Sequence, residues 1–152
     1  MAVAGVDAHK DSLAVAVVDE QGRQLDRTEV ENSPCGFHRL VGWLSRYDPQ
    51  RVGIEGSGSL GRPVALRLRE VGLEVVEVPP QLTAQARRRQ RNHGKSDPID
   101  ALLIARITLR EALLPSIRPD GAVEELRVLV RYRRELRAER TRVASRLHAD
   151  LE

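Results

Sequence analysis

The sequence has little of several things. Its one cysteine, Cys35, can close no intrachain disulfide and supplies no cysteine zinc site. Aromatic residues make up 3% of the chain, which excludes a base-stacking platform built from several rings and leaves the core to Val, Leu, Ile and Ala. The longest unbroken apolar run, Leu13 to Val18, is far short of the roughly 18 residues a membrane helix needs. Met1-Ala2-Val3-Ala4-Gly5 has no basic stretch ahead of its apolar residues, so no secretory leader is read there. These absences exclude disulfide-stapled, zinc-cysteine and helical membrane proteins, and a soluble cytoplasmic protein with no membrane partner is expected. Lysine is scarce as well, since only Lys10 and Lys95 stand among the 25 basic residues.

What is present is arginine, and it is unevenly placed. The 152 residues, 41% hydrophobic and 31% charged, suit one domain with an extension. Residues 1–86 hold 9 basic and 12 acidic side chains, while residues 87–152 hold 16 and 10. Scattered arginines fit an ordinary solvated surface. The run Arg87-Arg88-Arg89-Gln90-Arg91 fits phosphate contact better, because a guanidinium grips phosphate oxygens in pairs.

The chain order of elements is informative. Ala2 to Val6 is a short apolar strand running into Asp7, Leu13 to Asp19 a second strand, and Gln24 to Glu31 a third after the Gln21-Gly22 turn. Asn32-Ser33-Pro34 starts a helix that Asp48-Pro49 ends. Arg51 to Glu55, Gly61 to Val71 and Leu73 to Val78 then read as strand, helix and strand. Helices are expected over Gln81 to Arg89 and from Asp97 to about Leu114-Pro115. The Pro115 to Gly121 break divides a domain at 1–115 from a helical extension at 116–152. In that extension Ala122, Leu126, Leu129, Arg133, Leu136, Arg140, Val143 and Leu147 step by 4 and 3, a coiled-coil spacing interrupted by two arginines, and a homodimer or higher homo-oligomer is expected. The helix carries no stop signal, so the natural protein is expected to continue past Glu152.

Four carboxylates stand at strand or helix ends. Asp7 closes the first strand and Glu55 the fourth, so the two converge if those strands are neighbours. Asp97 and Asp100 share one side of the first turn of a helix, their Cβ atoms roughly 5–6 Å apart. Gathering such charges is unfavourable unless a divalent cation offsets the repulsion, and Mg²⁺ suits an all-oxygen set. Local roles account for some of the same residues, since Asp97-Pro98 is an N-cap and N1 pair and Asp100 favours the positive helix end.

Three antiparallel strands followed by α/β alternation resemble an RNase H-like (RuvC-like) α/β fold, a mixed sheet with flanking helices, here followed by a long C-terminal helix. Gly5-Val6-Asp7-Ala8-His9-Lys10, Ile54-Glu55-Gly56-Ser57-Gly58 and Lys95-Ser96-Asp97-Pro98-Ile99-Asp100-Ala101 together resemble the insertion-sequence 110 (DEDD) transposases in order and spacing. That resemblance implies Mg²⁺ held by Asp7, Glu55, Asp97 and Asp100 for DNA strand cleavage and exchange, guidance by a structured RNA, and a serine-bearing C-terminal domain that this chain lacks. Lys10, Lys95, Arg87, Arg88, Arg89 and Arg91 are the nucleic-acid contacts expected beside it. Two other readings stay open. The arginines can serve a binding module without catalysis. Gly56-Ser57-Gly58-Ser59-Leu60-Gly61, with Glu77 lying 21 residues beyond Gly56, matches a dinucleotide fingerprint on paper.

Overall fold

A computed structural model describes residues 1–89, 97–117 and 122–151. Contacts divide the chain into two compact units, Met1–Arg118 and Pro119–Glu152. The first holds β1 (Ala2–Ala8), β2 (Ser12–Val18), β3 (Gln24–Glu31), α1 (Pro34–Leu44), β4 (Pro49–Glu55), α2 (Arg62–Glu70), β5 (Glu74–Glu77), α3 (Pro80–Arg89) and α4 (Asp97–Arg110). The five strands form one mixed sheet in the order β3-β2-β1-β4-β5. β1 to β3 form an antiparallel meander, and β4 and β5 add to it in parallel.

Both faces of the sheet are covered, which is why β1 reads as a continuous apolar run rather than an alternating one. Ala2, Ala4 and Val6 point into the main core with Phe37 and Leu40 of α1, Val64 and Leu68 of α2, and Val52 and Ile54 of β4. Period-two alternation sends Val3, Gly5 and Asp7 to the other face, where α4 lies; Val3 packs there against Ala105. α1 starts where the sequence signals it, with the Ser33 hydroxyl accepting from the Gly36 amide and Pro34 in the first turn.

Two neighbouring glycines set how closely α4 approaches. Gly5 and Gly53 are paired across β1 and β4. A Cβ on Gly5 would fall 2.2 Å from the Ala105 amide nitrogen and 2.4 Å from the Ala101 carbonyl oxygen, and one on Gly53 would fall 1.8 Å from Thr108 Oγ1. Backbone therefore rests on backbone at Gly5 and on the Thr108 side chain at Gly53, and the small side chains Ala101, Ala105 and Thr108, at helical spacing, make the matching stripe on α4.

Among the element ends that differ from expectation, two have a cause in contacts between elements. β1 runs through Asp7 to Ala8 instead of stopping at Val6, because Asp7 and Ala8 pair with Ala14 and Leu13 of β2. α4 stops at Arg110 instead of Leu114-Pro115. Its end is tied down by Arg51 of β4, whose Nη1 donates to the Glu111 carbonyl at 2.9 Å. The chain then extends along β5, where the Glu77 amide donates to the Pro115 carbonyl at 2.8 Å and the Ile117 amide to the Val75 carbonyl at 3.1 Å. That addition covers an edge of the sheet.

The second unit contains α5 (Ala122–Leu151), which leaves Leu126, Leu129, Leu136, Val143 and Leu147 exposed. No helix among the described residues is long and apolar enough to cross a membrane.

Candidate metal and nucleic-acid site

The parallel pairing of β1 with β4 places Asp7 directly opposite Glu55. Both follow a glycine by two residues on the α4-facing side, so both carboxylates rise beside the N-terminal end of that helix. There Asp100, in the first turn of α4, is buried, as is Asp7. α3 packs against α4 and contributes Thr83 and Arg87.

The electrostatics of these residues are coupled. Burial is the main reason the Glu55 carboxyl is held above its usual range. Thr83 and the Arg87 guanidinium draw it down, and the Asp7 and Asp100 carboxylates push it up. Glu55 Oε2 is buried without a hydrogen-bond partner. The Arg87 Nε–H donates to Asp100 Oδ1 at 2.8 Å. That hydrogen bond, reinforced by attraction to Asp100, Glu55 and Asp7, holds the guanidinium above its ordinary pKa against the opposing effect of burial. His9 Nε2 lies 3.2 Å from Asp7 Oδ2. One guanidinium and three carboxylates from β1, β4, α3 and α4 thus act on one another in one place.

Asp7, Glu55 and Asp100 are the expected acids that the fold brings together. Asp97 is the first residue of α4, but its side chain lies outside the described residues, as do the Arg89 side chain, Arg91 and Lys95. Among the described residues, no group of three or more Asp, Glu, His or Cys side chains stands at metal-ligating spacing. Arg87, expected to face phosphate, instead reaches Asp100, while Arg88 on the same helix and Lys10 after β1 are exposed. His9, part of the Gly5-to-Lys10 motif that carries Asp7, lies against that carboxylate, whereas Thr83 carries no sequence signal of its own.

The glycine-rich segment after Glu55 serves a different purpose from the dinucleotide reading. It folds back on itself, the Ser59 and Gly61 amides both donating to the Gly56 carbonyl at 3.0 and 3.1 Å, with Gly56 in the left-handed region at φ 74°. Glu77, the candidate ribose ligand, instead accepts from the buried Ser57 hydroxyl. This pair pins the turn that follows Glu55.

The family model for IS110-type DEDD transposases, described as "Transposase", matches residues 4–152. The chain is 30% identical over 144 residues to an uncharacterized 44.8 kDa protein of insertion element IS116 from Streptomyces clavuligerus, covering 94% of this chain and 36% of that protein. It is also 30% identical over 144 residues to an uncharacterized 42 kDa protein of insertion element IS900 from Mycobacterium paratuberculosis, covering 91% of this chain and 36% of that protein. The chain thus spans about a third of the length of these relatives. Among solved structures it is similar in fold to Thermus thermophilus RuvC, with a TM-score of 0.60 at 22% identity over 77% of this chain and 100% of that one. T. thermophilus RuvC in complex with a Holliday junction substrate superposes with a TM-score of 0.58 at 21% identity, over 77% and 99% of the two chains.

Proposed function

Since this chain belongs to the IS110 family of transposases and carries their RuvC-like domain, we propose that Asp7, Glu55 and Asp100, joined by Asp97, bind Mg²⁺ for DNA strand cleavage and exchange. The observation that carries this reading is the placement of Glu55 opposite Asp7 with one carboxylate oxygen buried and unpartnered. An oxygen that has lost water and gained no donor is unfavourable, and two neighbouring carboxylates add to the cost. A hard divalent cation satisfies both, so the residues present fit the ion. When bound, Mg²⁺ polarises phosphodiester oxygens and favours the charge that develops on them.

The chain's own residues have separable tasks. Asp7 is steered by His9, and Asp100 is held in place by Arg87 from α3. The Ser57–Glu77 hydrogen bond fixes the turn beyond Glu55 and with it the direction of that side chain. The exposed Arg88 and Lys10 contact the DNA backbone, and the sequence reading assigns Arg89, Arg91 and Lys95 the same task. In the whole protein, the reading extends to a structured guide RNA and a serine-bearing domain that supplies the nucleophile. α5 pairs with a second copy through its apolar row.

Asp7→Asn and Asp100→Asn in the full-length transposase test this. Strand cleavage is expected to be lost while DNA binding stays largely intact. Loss of binding, with cleavage retained per bound complex, overturns the assignment. One observation favours a second reading, a binding module without catalysis: the cation seen beside Asp100 is Arg87. On that reading DNA affinity falls steeply with salt and does not change when Mg²⁺ is removed, even in the full-length protein.

A further inference from the structure

The acid pocket already contains a positive charge. Asp100 and Arg87 form a close pair, with Nε 2.8 Å from Oδ1, and the two side chains differ in their access to water: Asp100 is 11% exposed and Arg87 39%. The arginine can swing into solvent, whereas the carboxylate is anchored in the first turn of a helix pressed onto Gly5. Arg87 faces Glu55 and Asp7 as well as Asp100. It therefore does part of what a cation would do, and it cannot do so by losing or gaining a proton, because a guanidinium stays charged.

We propose that Arg87 is the resident counter-ion of the acid pocket, competing with the divalent cation for Asp100 and released from that carboxylate when the cation binds. The inference rests on the metal-binding reading above. Its physical basis is repulsion: a guanidinium 2.8 Å from Asp100 Oδ1 stands beside any cation that this carboxylate helps to hold, and each charge weakens the hold on the other. In the metal-free chain Arg87 keeps the buried acids from repelling one another. Once released, its planar fork is free at the pocket rim, the side chain suited to a phosphate of the bound strand. Arg87 is in this sense a positioning residue that couples metal loading to nucleic-acid contact.

The test is titration of Mn²⁺ into the chain without nucleic acid, by calorimetry, for the wild type, Arg87→Gln and Arg88→Gln. Removing the competing charge is expected to tighten Mn²⁺ binding by roughly tenfold in Arg87→Gln. Arg88→Gln, which removes an exposed and screened charge, is expected to change it by less than about twofold. Equal or weaker binding in Arg87→Gln than in the wild type overturns the proposal while leaving the metal site standing. If Mn²⁺ binds none of the three proteins, the metal reading itself falls and this inference falls with it. A second readout does not depend on the variant folding. In the wild type, the Arg87 Nε–H resonance, assigned by through-bond correlation to its own backbone amide, is expected to move on saturation with Mg²⁺. A resonance that stays in place while Mg²⁺ binds overturns the proposal.

Discussion

Gly5→Ala probes the link between the packing of the sheet and the acid pocket. The added Cβ would lie 2.2 Å from the Ala105 nitrogen and 2.4 Å from the Ala101 oxygen, whereas ordinary contact begins at 3.4 Å. α4 must therefore retreat by about 1.2 Å, and because both obstacles are backbone, no rotamer change relieves the clash. Overpacking of this kind costs about 1–3 kcal/mol, and the upper end applies here because a whole helix has to move. The gain from lower unfolded-state entropy on replacing glycine, about 0.4–1 kcal/mol, offsets only part of it. The retreat also carries Asp100 away from Asp7, and a misplacement of about 1 Å at a reacting centre is worth about a hundredfold in rate. Urea denaturation of the chain and strand cleavage by the full-length protein measure the two effects. A variant within about 0.5 kcal/mol of the wild type and cleaving at the wild-type rate would refute the claim that this glycine sets the height of α4.

The neighbouring glycine behaves differently, because its obstacle is a side chain: Gly53→Ala is expected to destabilise the protein, and Thr108→Ala in the same chain to recover part of the loss, a double-mutant coupling of at least about 0.5 kcal/mol by urea denaturation. The Tyr47 hydroxyl donates to Asp26, which holds the Asp26 carboxyl below its ordinary range, helped by the Arg27 amide, and holds Tyr47 above its own. The acid's share of stability is present above its unfolded pKa and is lost as pH falls through the lowered folded value; the phenol's share is present below about 10 and is lost as pH rises through the raised one. Denaturation midpoints measured against pH are expected to lose both limbs in Tyr47→Phe, and unchanged limbs would show that the hydrogen bond contributes nothing. Leu136, exposed on α5, lies on the apolar row, so Leu136→Asp is expected to shift sedimentation toward monomer, and an unaltered distribution would exclude that row as the contact.

Local chemistry was readable along the chain. The buried strand that carries Asp7, the Ser33-Pro34 helix start, the glycine turn after Glu55 and the Asp97-Pro98 start of α4 each follow from a few adjacent residues, so short-range patterns suffice. Where α4 stops was not readable, because its end is set by Arg51, a residue 60 positions from the carbonyl it caps. The site divides in the same way. That carboxylates sit at strand and helix ends is a property of the sequence. That Asp7 faces Glu55 depends on β1 pairing with β4 in one particular parallel register, and a slip of one residue would have turned one of them to the opposite face.

The sequence by itself therefore determined which residues are available for chemistry and the element on which each sits, since propensity, capping and periodicity act over a few residues. Only the tertiary structure decided that Arg87 lies on Asp100 rather than on the open surface, that Thr83 stands beside Glu55, and that two glycines on adjacent strands let α4 come close enough to complete the pocket. Those are contacts between elements distant in the chain, chosen by how strand, helix and glycine fit together in space, and no local pattern encodes them.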